Sequence, residues 1–519
     1  MKKIYLLMLA AVGLLFMSCE KGKGQEPEGK SKYTVIVYAN GGGDLDIDIE
    51  DDISRAAHAF SKRGEDLSVR MIVCMKYSDE EGLQAQKEKN LEQYNYDYEP
   101  GGKASMVYFY EVGPDCIDFE EEEGVNQYLS LPEEWIMQDG RYPMFSPKSI
   151  AEVLQKAAKA APAQHYILLL AGHSMGWEPE SDGEYPSGNQ KPAAAIADPH
   201  YDGRSIKAKE LHDGIQQSGL HLSAIIFDCC FMNNLEYLSE LTDVTDYTLG
   251  SGHTTKGSDL STVVNALYDN SNIEDALKVQ ARNNRDQHVE AFKKGNDPRG
   301  RHTDFAVLKM SGMPAIWSGL QAVVNYMCEH VKDSAKYVSA STQCYQYYND
   351  DCKYDLLDYL TLLKSEGAPY QGDEGFQTVY KSLETAIQSA IIAHEEGHEY
   401  IEGYKPAHAL SISVQLGAKG ILQDQFDKDD EKNGYTCYDY EGNRWYYSPA
   451  TKAGGKEVWT KDTEKIIYHN WDYSYAKSVF DQKTGWTKWL KANPAMPYNN
   501  PPRGDDDDYN ISPNEGEEE

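Results

Sequence analysis

From Lys32 onward the chain alternates short, β-rich apolar runs with amphipathic helical stretches, the pattern of a sheet with parallel strands covered by helices. YTVIVYAN (33–40) reads as a first buried strand, and a helix follows through Ile49 to Ser61. LSVRMIVCMKY (67–77) and SMVYFYEV (105–112) read as the second and third strands, with the polar, tyrosine-rich 78–104 as a loop between them. A serine cap, an N-terminal proline and helical apolar spacing predict a helix over SPKSIAEVLQKAAKAAP (146–162), feeding the strand HYILLLAG (165–172). HLSAIIFDCC (221–230) is the next strand, NNLEYLSEL (233–241) its following helix and DYTLGS (246–251) another strand. The expected fold class is α/β, a sheet of mainly parallel strands flanked by helices.

Beyond residue 310 the pattern changes to helices over Met313 to Lys336, Tyr354 to Ser365 and Phe376 to Glu395. A strand HALSISVQL (408–416) and an aromatic-rich C-terminal part complete it, and no internal repeat is present. The N-terminus carries Met1-Lys2-Lys3, an apolar run from Ile4 to Met17, and then Ser18-Cys19, the three regions of a bacterial secretory signal in order. That run is too short to span a bilayer. Cys19, followed by the polar EKGKGQEPEGKSK, resembles the acylated cysteine of a lipoprotein, although Phe16 replaces the usual aliphatic residue three places earlier. The expected organisation is a signal peptide over 1–18, a tether over 19–32, an α/β domain over 33–310, an extension packed on it over 311–495 and an acidic disordered tail over 496–519. The body is then lipid-anchored in the cell envelope, on the periplasmic or cell-surface side of a bacterial membrane.

Formal net charge is −34, and −36 once Lys2 and Lys3 leave with the signal. Such a charge excludes nucleic acid and anionic membrane surfaces as partners and favours basic or neutral ones. Of nine cysteines, Cys19 goes to lipid and Cys230 to chemistry, and the remaining seven cannot all pair. Cys344 and Cys352 are near enough in sequence to bond, whereas Cys74 lies in an apolar strand and reads as core.

His173 in LLLAGHSMGW and Cys230 in IIFDCCFMNNLE both stand just past expected strand ends, where open α/β sheets bind ligands. A thiol that attacks an amide needs a base, which later protonates the leaving amine, and donors for the tetrahedral oxyanion. His173 supplies the base and Cys230 the thiol, with the backbone N–H groups of Ser174 and Cys230 as oxyanion donors. A helix N-terminus directly after Cys230 would lower its thiol pKa. Strand alternation turns Cys229 to the opposite face, so Cys229 is not the nucleophile. Asp228 offers a carboxylate that selects a cationic substrate residue. Asp259, after DYTLGS, is a second candidate for the same pocket, or else an N-terminal acid of the helix containing STVVNAL. On residues alone, a buried structural cysteine and a satisfied histidine account for the pair equally well.

These segments resemble the clostripain family of cysteine endopeptidases, in which one strand ends in His-Gly and a later one in Asp-Ala-Cys-Leu-Met-Gly. Here they read His173-Ser174 and Asp228-Cys229-Cys230-Phe231-Met232-Asn233. The resemblance runs from VIVYANGGGDLD through YDLLDYLTLL (354–363) and HALSISVQL to YAKSVFDQKTGWTKWL (475–490). It implies a caspase-like fold, His173 as base, Cys230 as nucleophile, and Asp228 as a determinant of cleavage after arginine or lysine in polypeptide substrates. Ser174, Cys229 and Asn233 depart from the family pattern, and a glycine at 174 would allow backbone angles that serine resists.

Some family members mature by internal cleavage, for which Lys191 is the candidate here, competing with Lys207 and Lys209. Some depend on calcium. No cofactor is required for the chemistry itself, and the acidic clusters Asp44 to Asp52 and Asp427 to Glu431 lack the ligand spacing of an EF-hand. A rival motif is His394-Glu395-Glu396-Gly397-His398, which matches the H-E-x-x-H of a zinc peptidase if a helix carries it. It lacks an evident third ligand. A peptide-binding lipoprotein without turnover is the remaining alternative.

Overall fold

The computed structural model describes residues 30–94, 97–113, 116, 125–127, 136–137, 142–174, 176–177, 195–198, 201, 204–295, 303–332, 337, 344–348, 353–397, 407–413, 435–438, 443–453, 456–465 and 478–492. The expected signal, Cys19, residues 20–29 of the expected tether, Lys191, Cys352, His398, the acidic cluster Asp427 to Glu431 and the C-terminal tail lie outside the described residues, while Ser31 and Lys32, expected in the tether, already belong to the first strand because they pair with the sheet.

The apolar runs become the strands β1 (Ser31–Asn40), β2 (Val69–Lys76), β3 (Val107–Glu111), β4 (Ile136–Met137), β5 (Ala163–Ala171), β6 (Leu222–Asp228), β7 (Thr245–Ser251), β8 (Asp304–Lys309) and β9 (Ile391–Glu396). They form one nine-stranded sheet of order β9-β8-β7-β6-β5-β1-β2-β3-β4. The centre is parallel: β1 pairs with β2 and β5, and β6 with β5 and β7. Both flanks are antiparallel.

Central strands buried on both faces need continuous apolar sequence, which explains why their runs do not alternate with polar residues. Successive side chains go to opposite faces. Ile36, Tyr38, Ile72, Leu168, Leu170, Ile225 and Phe227 enter one core, packed with residues of α3 (Pro147–Ala160), α4 (Ala208–Ser218), α8 (Met313–Glu329), α9 (Leu356–Leu362) and α10 (Glu374–Ala390). Val35, Val37, Val73, Ile167, Leu169, Ala224 and Ile226 enter the other, with α1 (Asp46–Ser61), α6 (Leu260–Asp269) and α7 (Ile273–Lys293). Each fully buried Leu or Ile contributes about 1.5–3 kcal/mol, so the two packed faces dominate the stability of the sheet.

Three elements differ from the sequence reading. Residues 78–104 contain the helix α2 (Glu80–Tyr94), which lacks an apolar stripe and therefore gave no periodic signal. Asp79 starts it by accepting the Gly82 N–H at 2.8 Å. The expected helix over Phe376 to Glu395 stops at Ala390, and Ile391–Glu396 turns into an edge strand against β8. The otherwise unpaired edge of β8 supplies backbone partners that outweigh local helix propensity. The helix expected over 233–241 shortens to α5 (Leu235–Glu240), capped by Asn234.

The segment YAKSVFDQKTGWTKWL docks through α11 (Val479–Thr484) and α12 (Trp486–Ala492). Ser478 caps α11 and Gly485 ends it in a left-handed conformation, which buries Phe480, Trp486 and Trp489 completely.

Lys76, at the end of β2, lies wholly buried against Asp198, donating to its two carboxylate oxygens at 2.9 and 2.8 Å and to the Tyr142 carbonyl at 3.1 Å. This pair ties the paired strands Ala195–Asp198 and Arg204–Ile206, which lie between His173 and Cys230 in the chain, to the sheet. Asp198→Ala leaves a buried ammonium uncompensated, and chemical denaturation should show a loss of about 3–5 kcal/mol.

Candidate active site

Strands β5 and β6 run parallel with Asp228 opposite Ala171, and the Gly172 N–H reaches the Asp228 carbonyl at 3.4 Å. His173 and Cys230 each stand two residues beyond that matched pair, so both leave the sheet at the same level. The Ser174 hydroxyl donates to Met232 Sδ at 3.0 Å and joins the two loops behind them.

His173 Nε2 lies 2.6 Å from Asp44 Oδ1. The Asp44 carboxylate thereby fixes the ring orientation and leaves Nδ1 as the nitrogen able to exchange a proton with a thiol. Asp44 comes from the loop after β1, and that loop is pinned from below. Asp46 is fully buried and accepts from the Ser78 N–H, the Ser78 hydroxyl and Gln86 Nε2, while Ser78 and Gln86 also bond the Gly43 backbone. A Cβ on Gly42 would stand 2.9 Å from His173 Cδ2, so only glycine lets the loop pack on the imidazole. Sequence reasoning missed Asp44 in this role, having placed it in an acidic cluster. Its position just past a strand end was the available signal.

Cys230 is partly exposed, while Cys229 is buried among the core residues of the opposite face with burial pushing its thiol well up. The Thr255 N–H donates to Cys230 Sγ at 3.3 Å, and the thiol in turn donates to the Thr255 carbonyl at 3.9 Å, so this one residue holds the sulfur from both sides. Phe231 takes a left-handed φ of 60°, and its N–H bonds the His253 carbonyl at 3.0 Å. The expected help from a helix N-terminus is not available to the sulfur. α5 begins five residues later, and the dipole effect does not extend beyond its first turn.

The departures at 174 and 233 have local explanations. Ser174 is not among the residues of positive φ; the neighbouring Gly172 (149°) and Gly176 (75°) take those angles instead. Its hydroxyl accepts the Gly176 N–H at 3.0 Å. Asn233 is fully buried and donates from Nδ2 to the Gly250 carbonyl at 2.7 Å, while its own carbonyl accepts the Ser411 N–H at 2.9 Å. It therefore stitches the Cys230 loop to β7 and to the strand Ser411–Ser413.

Asp228 accepts from the hydroxyl and the N–H of Ser258, yet burial outweighs these bonds and pushes its carboxyl up to about 7. Its Oδ1 is buried without a hydrogen-bond partner. Asp259 caps α6, with Oδ1 accepting the Ser261 N–H at 2.8 Å and Oδ2 standing 3.8 Å from Arg55. The N-terminal acid reading of Asp259 thus describes its geometry, and its second oxygen still faces the charged rim.

The H-E-x-x-H reading loses its helix. His394, Glu395 and Glu396 lie on β9, where adjacent side chains face opposite ways. His394 pairs with Asp304 Oδ1 at 2.5 Å, and Glu395 with Arg285 at 2.5 Å and Arg282 at 3.6 Å. Among the described residues no three His, Cys, Asp or Glu side chains are grouped to hold a metal ion.

A sheet with a parallel centre that carries a histidine and a partly exposed cysteine at adjacent strand ends is an arrangement suited to a cysteine peptidase of the α/β class. The clostripain family model, peptidase C11, matches residues 131–492, well over half of the chain, and the protein belongs to that family. Among solved structures, the secreted C11 cysteine protease iotapain from Bacteroides thetaiotaomicron is similar at 17% identity and a TM-score of 0.51, over 74% of this chain and 94% of that one. A secreted C11 protease from the same organism, in complex with an irreversible peptide inhibitor, is similar at 15% identity and a TM-score of 0.50, over 88% of this chain and 99% of that one. At such identities the likeness establishes the fold. No curated protein matches the chain.

Asn233→Gly restores the family residue but removes the bond to the Gly250 carbonyl. Thermal denaturation should then reveal a loss of about 1–3 kcal/mol, while Cys230 stays in place and its alkylation by iodoacetamide proceeds at the parent rate.

Proposed function

We propose that this cysteine peptidase is an endopeptidase cutting after arginine or lysine through the pair Cys230 and His173. The observation that supports the reading is the in-register end of β5 and β6, from which the loops bearing His173 and Cys230 leave the sheet at the same level, with Asp228 as the last residue of β6. His173 takes the thiol proton, and the thiolate attacks the scissile carbonyl. The N–H groups of Ser174 and Cys230 receive the oxyanion. His173 then protonates the leaving amine, and water hydrolyses the thioester. Asp44 acts as a positioning residue for the imidazole. Asp228 binds the basic side chain by a charge-assisted hydrogen bond, with Asp259 at the rim.

Hydrolysis of fluorogenic peptides with arginine, lysine, citrulline or aspartate before the reporter tests this, with and without calcium. Cleavage after arginine and lysine should vanish in Cys230→Ala and His173→Ala and withstand phenanthroline. Asp44→Ala should lower kcat by about tenfold with KM held, as expected of a group that orients the base. Activity that survives Cys230→Ala, or no cleavage after a basic residue, refutes the reading. Only the ionised form of Asp228 attracts a cation, so kcat/KM for the arginyl substrate should rise with pH through about 7. The uncharged citrulline substrate should lack that limb, and Asp228→Asn should cost the arginyl substrate about 100-fold.

The export signal and Cys19 further support a lipid-anchored enzyme of the cell envelope, and no helix among the described residues is long and apolar enough to cross a membrane. Metabolic labelling with a fatty acid should mark the chain and fail in Cys19→Ala; equal labelling of both would dismiss the anchor.

A further inference from the structure

A second carboxylate, Asp52 on α1, stands near Asp228. A Cβ built on Gly257 would stand 3.6 Å from Asp52 Oδ2 and 3.8 and 3.9 Å from Oδ1 and Oδ2 of Asp228. The two acids therefore border the same small space. Gly257 itself takes a φ of +105°, which a side-chain-bearing residue resists, so nothing projects from residue 257 to fill it.

Nearby groups serve these acids only in part. Arg55 bonds Asp51 directly and makes longer ion pairs, at 3.8 Å, with Asp52 and Asp259, which offset part of the effect of burial on Asp52. Asp259 spends one oxygen on its helix cap. Ser258 serves Asp228, yet the buried Asp228 Oδ1 still lacks a donor. An orphaned buried acceptor costs about 1–3 kcal/mol, which a ligand that donates there recovers. Burial holds the Asp52 carboxyl well above its ordinary range, and the charge of Asp228 adds to the effect. A cation placed between the two relieves both.

We propose that Asp52 and Asp228 act together as a dicarboxylate clamp for a guanidinium, making Asp52 a specificity-determining residue that favours arginine over lysine. A guanidinium presents five N–H donors in a planar fork, able to serve acids on two sides at once, whereas an ammonium offers three donors around a compact point. The proposal deepens the function proposed above and rests on its pocket for a basic side chain.

Binding without turnover separates the two ideas. Butylguanidinium and pentylammonium are titrated calorimetrically into Cys230→Ala and into the same protein carrying Asp52→Asn. The first should bind butylguanidinium about tenfold more tightly than pentylammonium, and Asp52→Asn should bring that ratio to about one mainly by weakening the guanidinium. In the active chain, Asp52→Asn should lower the arginine-to-lysine ratio of kcat/KM by the same factor, with iodoacetamide reactivity of Cys230 unchanged. An unchanged ratio in Asp52→Asn, or failure of the Cys230→Ala protein to bind either cation, overturns the clamp. If butylguanidinium binds as expected while no peptide is cut after a basic residue, the endopeptidase reading fails and the clamp stands.

Discussion

The parallel pairing of β5 with β6 is the constraint on which the rest depends. Ala171 and Asp228 lie opposite one another, so the loops bearing His173 and Cys230 leave the sheet side by side. A slip of one residue would exchange the faces of the whole strand, placing Cys230 in the core and Cys229 at the opening. That slip is prevented because Ile225 and Phe227 belong to one core and Ala224 and Ile226 to the other. Apolar packing on both faces thus sets the position of a polar site that takes no part in the packing.

Around this pair the protein builds rigid supports rather than long-range charge. The Asp46, Ser78 and Gln86 network holds the loop that brings Asp44 to His173. Asn233 fastens the cysteine loop to β7 and to Ser411. Such hydrogen bonds contribute only about 0.5–1.5 kcal/mol each to stability, but a buried network with few alternatives restricts the loops to one geometry. Not every polar atom is served: Oδ1 of the half-buried Asp228 and Oδ1 of Asn233 are among the buried atoms without a hydrogen-bond partner.

Several C-terminal elements pack on the same cores. β9 completes the sheet beside β8, α10 packs on α8, and Trp486 and Trp489 close one core. Pairing of β9 also removes the rival metal site, since extended backbone separates His394 and Glu395 and gives each a partner of opposite charge.

By itself the sequence determined the order of the central strands along the chain, the apolar faces that bury them, and His173, Cys230 and Asp228 as strand-end residues. Each of these follows from local periodicity and from residue type. Tertiary structure decided what comes from distant segments: Asp44 on His173, Asp52 facing Asp228 across Gly257, Thr255 on the sulfur, and Ile391–Glu396 as a strand. None of these could be read locally, because the same stretch of acids from 44 to 52 is compatible with a solvated surface until β1 is placed beside β5. The helix over residues 80–94 was missed for a related reason, since it carries no apolar stripe to betray its period. Periodicity reports which face of an element is buried, whereas the partner that meets that face is chosen by packing between elements far apart in the chain.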